Sequence, residues 1–329
     1  MKVILPFLLL LFLGACTPSS DQDQTNHNAS DTTSTEQYAL ILHGGAGGAT
    51  PEGLGEEGVR KYTAALDTAL DTGLAVLEQG GSSLDAVTAV ITYMEDNSVF
   101  NAGRGAVLSS KGIAELDASV MEGNHLNAGA VAGIQHTRNP ILAARKVMEE
   151  SPYVMLATEG ADEFARSVGL TEVEHEYFIT EKSKRQLERA RERDEWGTVG
   201  CVALDRQGRI SAGTSTGGRN NKLFGRVGDS PVIGAGTYAN SNVAGVSCTG
   251  EGEFFIRLSI AHDVIATMEY KNLPVEQAAT EVLSKLEPMN GKGGIICLDK
   301  HGNPAMVFNT SAMFRAYGNA SGDKKVAIF

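Results

Sequence analysis

Spaced metal ligands, paired cysteines and basic tracts are all missing from this 329-residue chain, and each shortage narrows what it can do. None of the seven histidines and four cysteines stands in HxxxH or CxxC spacing, so the sequence carries no signature of a transition-metal centre. Cys201, Cys248 and Cys297 are odd in number once Cys16 is set apart, and each lies in an apolar run. They read as small core residues, not as a disulfide framework. The net charge is −12 with no cationic tract, which argues against nucleic acid as a partner. The run His43-Gly44-Gly45-Ala46-Gly47-Gly48 lacks a following Lys-Ser/Thr and is not GxGxxG, so a nucleotide phosphate loop is the weaker reading of it.

What is present begins with MKVILPFLLLLFLGAC: a positive Lys2, an apolar run from Val3 to Leu13 and small residues before Cys16. This pattern predicts an export signal over residues 1–15, too short for a membrane span. Leu13-Gly14-Ala15-Cys16 looks like a lipobox, which predicts acylation of Cys16 and a lipid-anchored protein of the bacterial periplasm; a plain secretory signal is the alternative. Residues 16–37, dominated by Ser, Thr, Asp, Gln and Asn, read as a flexible tether. Removal of residues 1–15, whose sole charge is Lys2, leaves −13. The folded part then runs from Tyr38 to Phe329, with 38 glycines in the whole chain pointing to a packed, turn-rich protein.

Along that part, Tyr38 to Leu42 has strand character and the glycine run after it predicts a tight bend. Val59 to Gln79 follows a helical period, and Ser83 is expected to cap a second helix with Leu84, Val87, Val90, Ile91 and Met94 on its apolar face. Ile113–Met121 and Ala128–Ile134 read as strands around the turn EGNHLN, and Pro140–Glu150 and Glu159–Val168 as short helices. Glu181 to Glu195 is almost wholly charged, an exposed helix or a linker. Thr198–Leu204 and Arg209–Thr216 form a hairpin, followed by strands over Ser230–Tyr238 and Val243–Thr249 and one long helix over Glu253–Met268. Val275–Leu286 is a shorter helix, and Gly294–Leu298 with Ala305–Phe308 a last hairpin. Strands arriving as hairpins and helices in pairs predict an α+β fold with two antiparallel sheets and helices outside.

The abrupt passage from RERDEW to a buried strand at Gly197-Thr198 bears on chemistry. A threonine hydroxyl needs a base to become a nucleophile, and a threonine at a chain terminus has one in its own α-amine, with a pKa near roughly 8. A cut between Gly197 and Thr198 would turn the charged segment into a C-terminal tail and Thr198 into a catalytic N-terminus; glycine before it tolerates the strain that self-cleavage implies. Taken alone, Arg226 and Asp229 read as a surface ion pair, or as a clamp for a zwitterion that needs one fixed cation and one fixed anion. Thr249-Gly250 reads as a helix cap, or as donors for an oxyanion.

The runs TVGCVALDRQGRISAGTSTGG, GRVGDSPVIGAGTYAN and VSCTGEGEFFIR, with HGGAGG and FNAGRGA earlier, closely resemble the plant-type asparaginase and isoaspartyl aminopeptidase family of N-terminal-nucleophile hydrolases, over essentially all of 38–329. The resemblance implies a four-layer αββα sandwich that cleaves itself into an α subunit, 38–197, and a β subunit, 198–329, paired as an (αβ)2 homodimer. It implies hydrolysis of β-aspartyl dipeptides and L-asparagine to aspartate with no cofactor for catalysis. Thr198 matches the nucleophile, Thr216 a second threonine beside it, Arg226 and Asp229 the grip on the substrate's α-carboxylate and α-ammonium, Thr249 and Gly250 the oxyanion hole, and Asn101 an asparagine near the site. The MEDNSVFNAGRG loop is similar to a structural sodium loop, with the backbone carbonyls of Met94, Glu95, Asn97, Phe100, Ala102 and Arg104 facing the ion. A glycosylasparaginase, or a non-catalytic lipoprotein that binds amino acids, is the alternative; Ser215-Thr216-Gly217-Gly218 favours the isoaspartyl branch.

Overall fold

The computed structural model describes residues 37–189 and 197–329. Among them, the first half runs β1 (Ala39–Gly47), α1 (Pro51–Glu78), α2 (Ser83–Asp96), β2 (Leu116–Glu122), β3 (Ala128–Ile134), α3 (Pro140–Glu150), β4 (Met155–Ala157), α4 (Thr158–Ser167) and α5 (Glu181–Arg189). The second half runs β5 (Val199–Leu204), β6 (Ile210–Thr216), β7 (Thr237–Asn240), β8 (Ala244–Gly250), α6 (Gly252–Leu258), α7 (Ile260–Lys271), α8 (Val275–Ser284), β9 (Gly293–Asp299), β10 (Pro304–Phe308), β11 (Ala312–Asn319) and β12 (Lys324–Ala327).

The strands build one eight-stranded sheet, in the order β12-β11-β1-β5-β6-β2-β3-β4, and one four-stranded sheet, β10-β9-β8-β7. Every pairing is antiparallel except the three-residue β3–β4 edge, which is parallel. The two halves of the sequence share the larger sheet, because β5 pairs directly with β1. A separate core for each half is thereby excluded.

Four layers follow from where alternate side chains go. Leu40 and Leu42 of β1 and Val199, Cys201 and Ala203 of β5 pack with α1, α2 and α3 in one apolar cluster. Their neighbours Ala39, Ile41 and Val202 point the other way, into a second cluster with Ile296 and Leu298 of β9. Ile295 and Cys297 of β9 then face α7 and α8 in a third. Strands buried on both faces, between helices on one side and a sheet on the other, are the αββα sandwich, and they explain why β5 and β9 read as continuous apolar runs.

Several boundaries differ from the sequence expectation for local physical reasons. The glycine run does not end β1; it continues the strand to Gly47 through a bulge between His43 and Gly45. Ser82, not Ser83, caps α2, its Oγ accepting from Asp85 N at 3.1 Å, while Ser83 N donates to Asp205. The long helix over Glu253–Met268 is two helices, broken at Ser259, whose φ is +49°. Of Ser230–Tyr238, only the end is strand, from Thr237. The charged segment forms α5 up to Arg189.

Candidate active site

The β5–β6 hairpin sets the centre. Val199 pairs with Ser215, so the next step outward places Thr198 opposite Thr216, and their hydroxyls lie 3.4 Å apart, Thr198 donating. Thr198 is buried and its bond to Gly197 is uncut. The Gly197 carbonyl accepts twice, from Asn101 Nδ2 at 2.8 Å and from Thr216 Oγ1 at 2.9 Å. Asn101 is itself fixed: its second amide proton goes to the Gly218 carbonyl at 2.8 Å, and its Oδ1 accepts from Val107 N at 2.9 Å. The β1 bulge presses on the same bond. Gly45 has a φ of +110°, and a Cβ there would stand 3.2 Å from Gly197 Cα and 3.3 Å from Thr198 N. Only glycine allows that approach without strain.

From Thr198 a cavity extends to Arg226, Asp229 and Gly250. Arg226 is held by Glu253 in a two-pronged pair, Nε to Oε1 at 2.9 Å and Nη2 to Oε2 at 3.0 Å. Asp229 is buried, and its Oδ2 has no hydrogen-bond partner among the described residues. Burial pushes its carboxyl up to about 7, against the pull of Arg226. A buried carboxylate oxygen without a donor is costly, and a bound ammonium would relieve it. Gly250, at φ +147°, lies so close to the β9 edge that a Cβ would meet Gly293 Cα and Lys292 O at 2.5 Å. The Thr249 hydroxyl accepts from Ala46 N at 3.2 Å, which leaves its own proton available to donate.

Sequence reasoning passed over other participants. His43, with Nδ1 3.0 Å from the Thr198 carbonyl and Nε2 3.1 Å from Ser247 Oγ, is held neutral by burial, which lowers it to about 3. The carbonyl can only accept, so Nδ1 carries the proton and Ser247 donates to Nε2. Behind Ser247 the hydroxyls of Thr214 (2.7 Å), Thr237 (2.5 Å) and Ser119 (2.8 Å) follow, so each can donate once toward His43. The chain of donors crosses both sheets and ends on the nucleophile's backbone. His43 sits in the quoted HGGAGG and Glu253 in CTGEGE, but a lone histidine and an exposed glutamate carry no signal of role. Lys222 is the third: it is buried, with Nζ donating to Glu115 O at 2.7 Å and Gly217 O at 3.1 Å. Burial lowers its ammonium from the usual lysine range, opposed by Asp117 and Glu115.

Comparison with known proteins gives a family model, described as Asparaginase, that matches residues 36–328. The isoaspartyl peptidase of Escherichia coli (strain K12) is 45% identical over 306 residues, covering 88% of this chain and 95% of that protein. The probable isoaspartyl peptidase/L-asparaginase 2 of Arabidopsis thaliana is 39% identical over 325 residues, covering 89% and 99%. The isoaspartyl peptidase/L-asparaginase of Homo sapiens is 38% identical over 284 residues, covering 83% and 91%.

These similarities correct the expected address. The relatives from a bacterium, a plant and an animal bear enzyme names with no lipoprotein or signal-peptide designation, and the family match starts at residue 36. Among the described residues, no helix is long and apolar enough to cross a membrane. The assignment as a lipid-anchored periplasmic lipoprotein does not stand: it rested on a short apolar run and one cysteine, a pattern that other sequences share by chance. Cys16 and the rest of residues 1–36, like residues 190–196, lie outside the described residues.

Proposed function

Since the chain belongs to the asparaginase family, we propose that it is an amidohydrolase that activates itself by cutting Gly197–Thr198 and then hydrolyses β-aspartyl dipeptides and L-asparagine to aspartate. The observation that carries this reading is the double hydrogen bond on the Gly197 carbonyl beside the Thr198 hydroxyl. In the cut, Thr198 Oγ attacks the Gly197 carbonyl carbon, and Asn101 and Thr216 stabilise the negative charge that grows on its oxygen. Collapse breaks the C–N bond and passes the proton to the nitrogen. The resulting ester takes up water, leaving a Gly197 carboxylate and a free Thr198 amine. The α chain is then 38–197 and the β chain 198–329.

In turnover the freed α-amine takes the proton of Thr198 Oγ as it attacks the substrate's side-chain carbonyl, and returns it to the departing amine. Thr249 and Gly250 supply donors to the second oxyanion. Arg226, oriented by Glu253, has Nη1 for the substrate's α-carboxylate, and Asp229 takes the α-ammonium. The residues supply nucleophile, base and donors, so the chemistry calls for no cofactor.

The finer readings belong to the same proposal. Sodium fits the α2–β2 loop by donor chemistry: the carbonyls of Met94, Asn97 and Ala102 each accept one backbone N–H and keep a second lone pair, while those of Glu95 and Phe100 crowd Gly103 and Gly105. With the Arg104 carbonyl, these would hold the ion, whose part is structural. The active form is an (αβ)2 homodimer. Light scattering should give twice the chain mass, and melting temperature should fall when potassium replaces sodium; a monomer, or identical melts, would remove the respective reading.

The main test is a denaturing gel with N-terminal sequencing. Wild type should give two chains, the second starting at Thr198, and release aspartate from both substrates. Thr198→Ala should remain one chain and be inactive. Cleavage of that variant at the same bond would sink the self-cutting mechanism.

A further inference from the structure

The wall that holds Arg226 opens on its other side. The space at Thr198 is narrow, about 20 Å³, and Arg219, Arg226 and Glu253 line both it and a wider cleft of about 520 Å³ rimmed by Leu223 and Phe224. We propose, building on the function given above, that this cleft receives the leaving amino acid of a β-aspartyl dipeptide, that Arg219 binds that residue's α-carboxylate, and that Leu223 and Phe224 favour an apolar side chain on it.

The substrate's own chemistry demands a second cation. A β-aspartyl dipeptide carries one carboxylate on the head group and another on the leaving residue, about 3.8 Å beyond the scissile carbonyl, one residue step along the chain. Taking that anion out of water needs a charged donor. Among the described residues lining the two cavities, three are cations. Arg226 already gives Nε and Nη2 to Glu253, and the head group claims its other edge. Lys222 is buried with its ammonium on two backbone carbonyls. Arg219 stands between the cavities, one residue after Gly218, whose carbonyl Asn101 holds at 2.8 Å. Its backbone is therefore fixed by the catalytic machinery itself, and its planar fork suits a carboxylate.

The rim gives the side-chain preference. Leu223 is 52% and Phe224 98% exposed, and Phe224 is kept in the left-handed region at φ +57° by the turn that Arg226 N closes on Leu223 O. An aromatic ring is seldom held in such a conformation in open water. L-asparagine, which releases ammonia, presents neither a second carboxylate nor a side chain to this cleft.

Kinetics with three substrates, L-asparagine, β-aspartyl-leucine and β-aspartyl-leucinamide, test the assignment. Wild type should prefer the free acid over the amide by roughly tenfold or more, the worth of one charged hydrogen-bonded contact. Arg219→Met should bring that preference close to one, through KM, and lower the ratio of β-aspartyl-leucine to L-asparagine turnover by a similar factor. A wild type that treats acid and amide alike would overturn the proposal even if the variant failed to fold. So would an unchanged preference in Arg219→Met. A wild type that releases aspartate from none of the three would overturn the function itself, and this subsite with it.

Discussion

Asn101 uses both amide protons on carbonyls, Gly197 and Gly218, while its own oxygen accepts from Val107 N. An aspartate there would keep the acceptor and lose both donors, placing a negative charge beside the oxygen on which negative charge must develop. Asn101→Asp should therefore slow the cut at Gly197–Thr198 by about 10²-fold or more, the usual cost of one oxyanion donor. The appearance of the two chains on a timed gel measures it, and a wild-type rate would remove Asn101 from the cleavage step. At this scale, the legible residues were those whose chemistry is unusual for their surroundings, such as a threonine at a charged-to-apolar boundary. Glu253 and His43 were not, because an exposed glutamate and a buried histidine each have a commoner structural explanation; only the placement of Arg226 and Thr198 gives them a role.

Elements were legible where a single period dominates. The hairpin β5–β6 and the α2 stripe could be read from alternation and from 3.6-residue spacing, and the hairpin register alone is enough to bring Thr198 against Thr216. The strand pair β11–β12 was not, because Arg315, Tyr317 and Asn319 interrupt its apolar positions and β12 is half charged. The break at Ser259 escaped because the apolar spacing runs on through it. A test of element packing lies at Gly73 in α1. Alanine has the better helix propensity, by about 1 kcal/mol, which alone would predict stabilisation. A Cβ at Gly73, however, would stand 2.3 Å from Leu40 Cδ1 of β1 and 2.5 Å from Val90 Cγ2 of α2, both fully buried. Overpacking of this kind costs typically about 1–3 kcal/mol, so Gly73→Ala should be net destabilising in a urea melt. A stabilised variant would show that α1 can lift from the sheet without penalty.

For the whole molecule, the two most strongly shifted groups at the site pull stability in opposite directions with pH. His43 is lowered from 6.5 to about 3, so the unfolded chain binds the proton more readily and folding gains stability as pH rises across that window. Asp229 is raised from 3.8 to about 7, so the folded chain keeps the proton and stability falls as pH rises from 3.8 to 7. Where the windows overlap the two nearly cancel; between 6.5 and 7 only the loss from Asp229 remains. Arg226 favours the charged form of Asp229, while Glu253 and Asp117 oppose it, so burial decides the direction. Activity needs the reverse: Asp229 charged for the substrate's ammonium and the Thr198 amine neutral, the latter at roughly 8. kcat/KM should then climb between pH about 6 and 8 while the melting temperature gives up stability held at lower pH. Asp229→Asn separates the two effects, since an amide neither titrates nor offers a charge. That variant should lose most kcat/KM at every pH, yet gain stability relative to wild type as pH is raised from 4 to 7. Parallel stability curves for the two proteins would show that Asp229 is ionised throughout, and that the buried carboxylate is already compensated before substrate arrives.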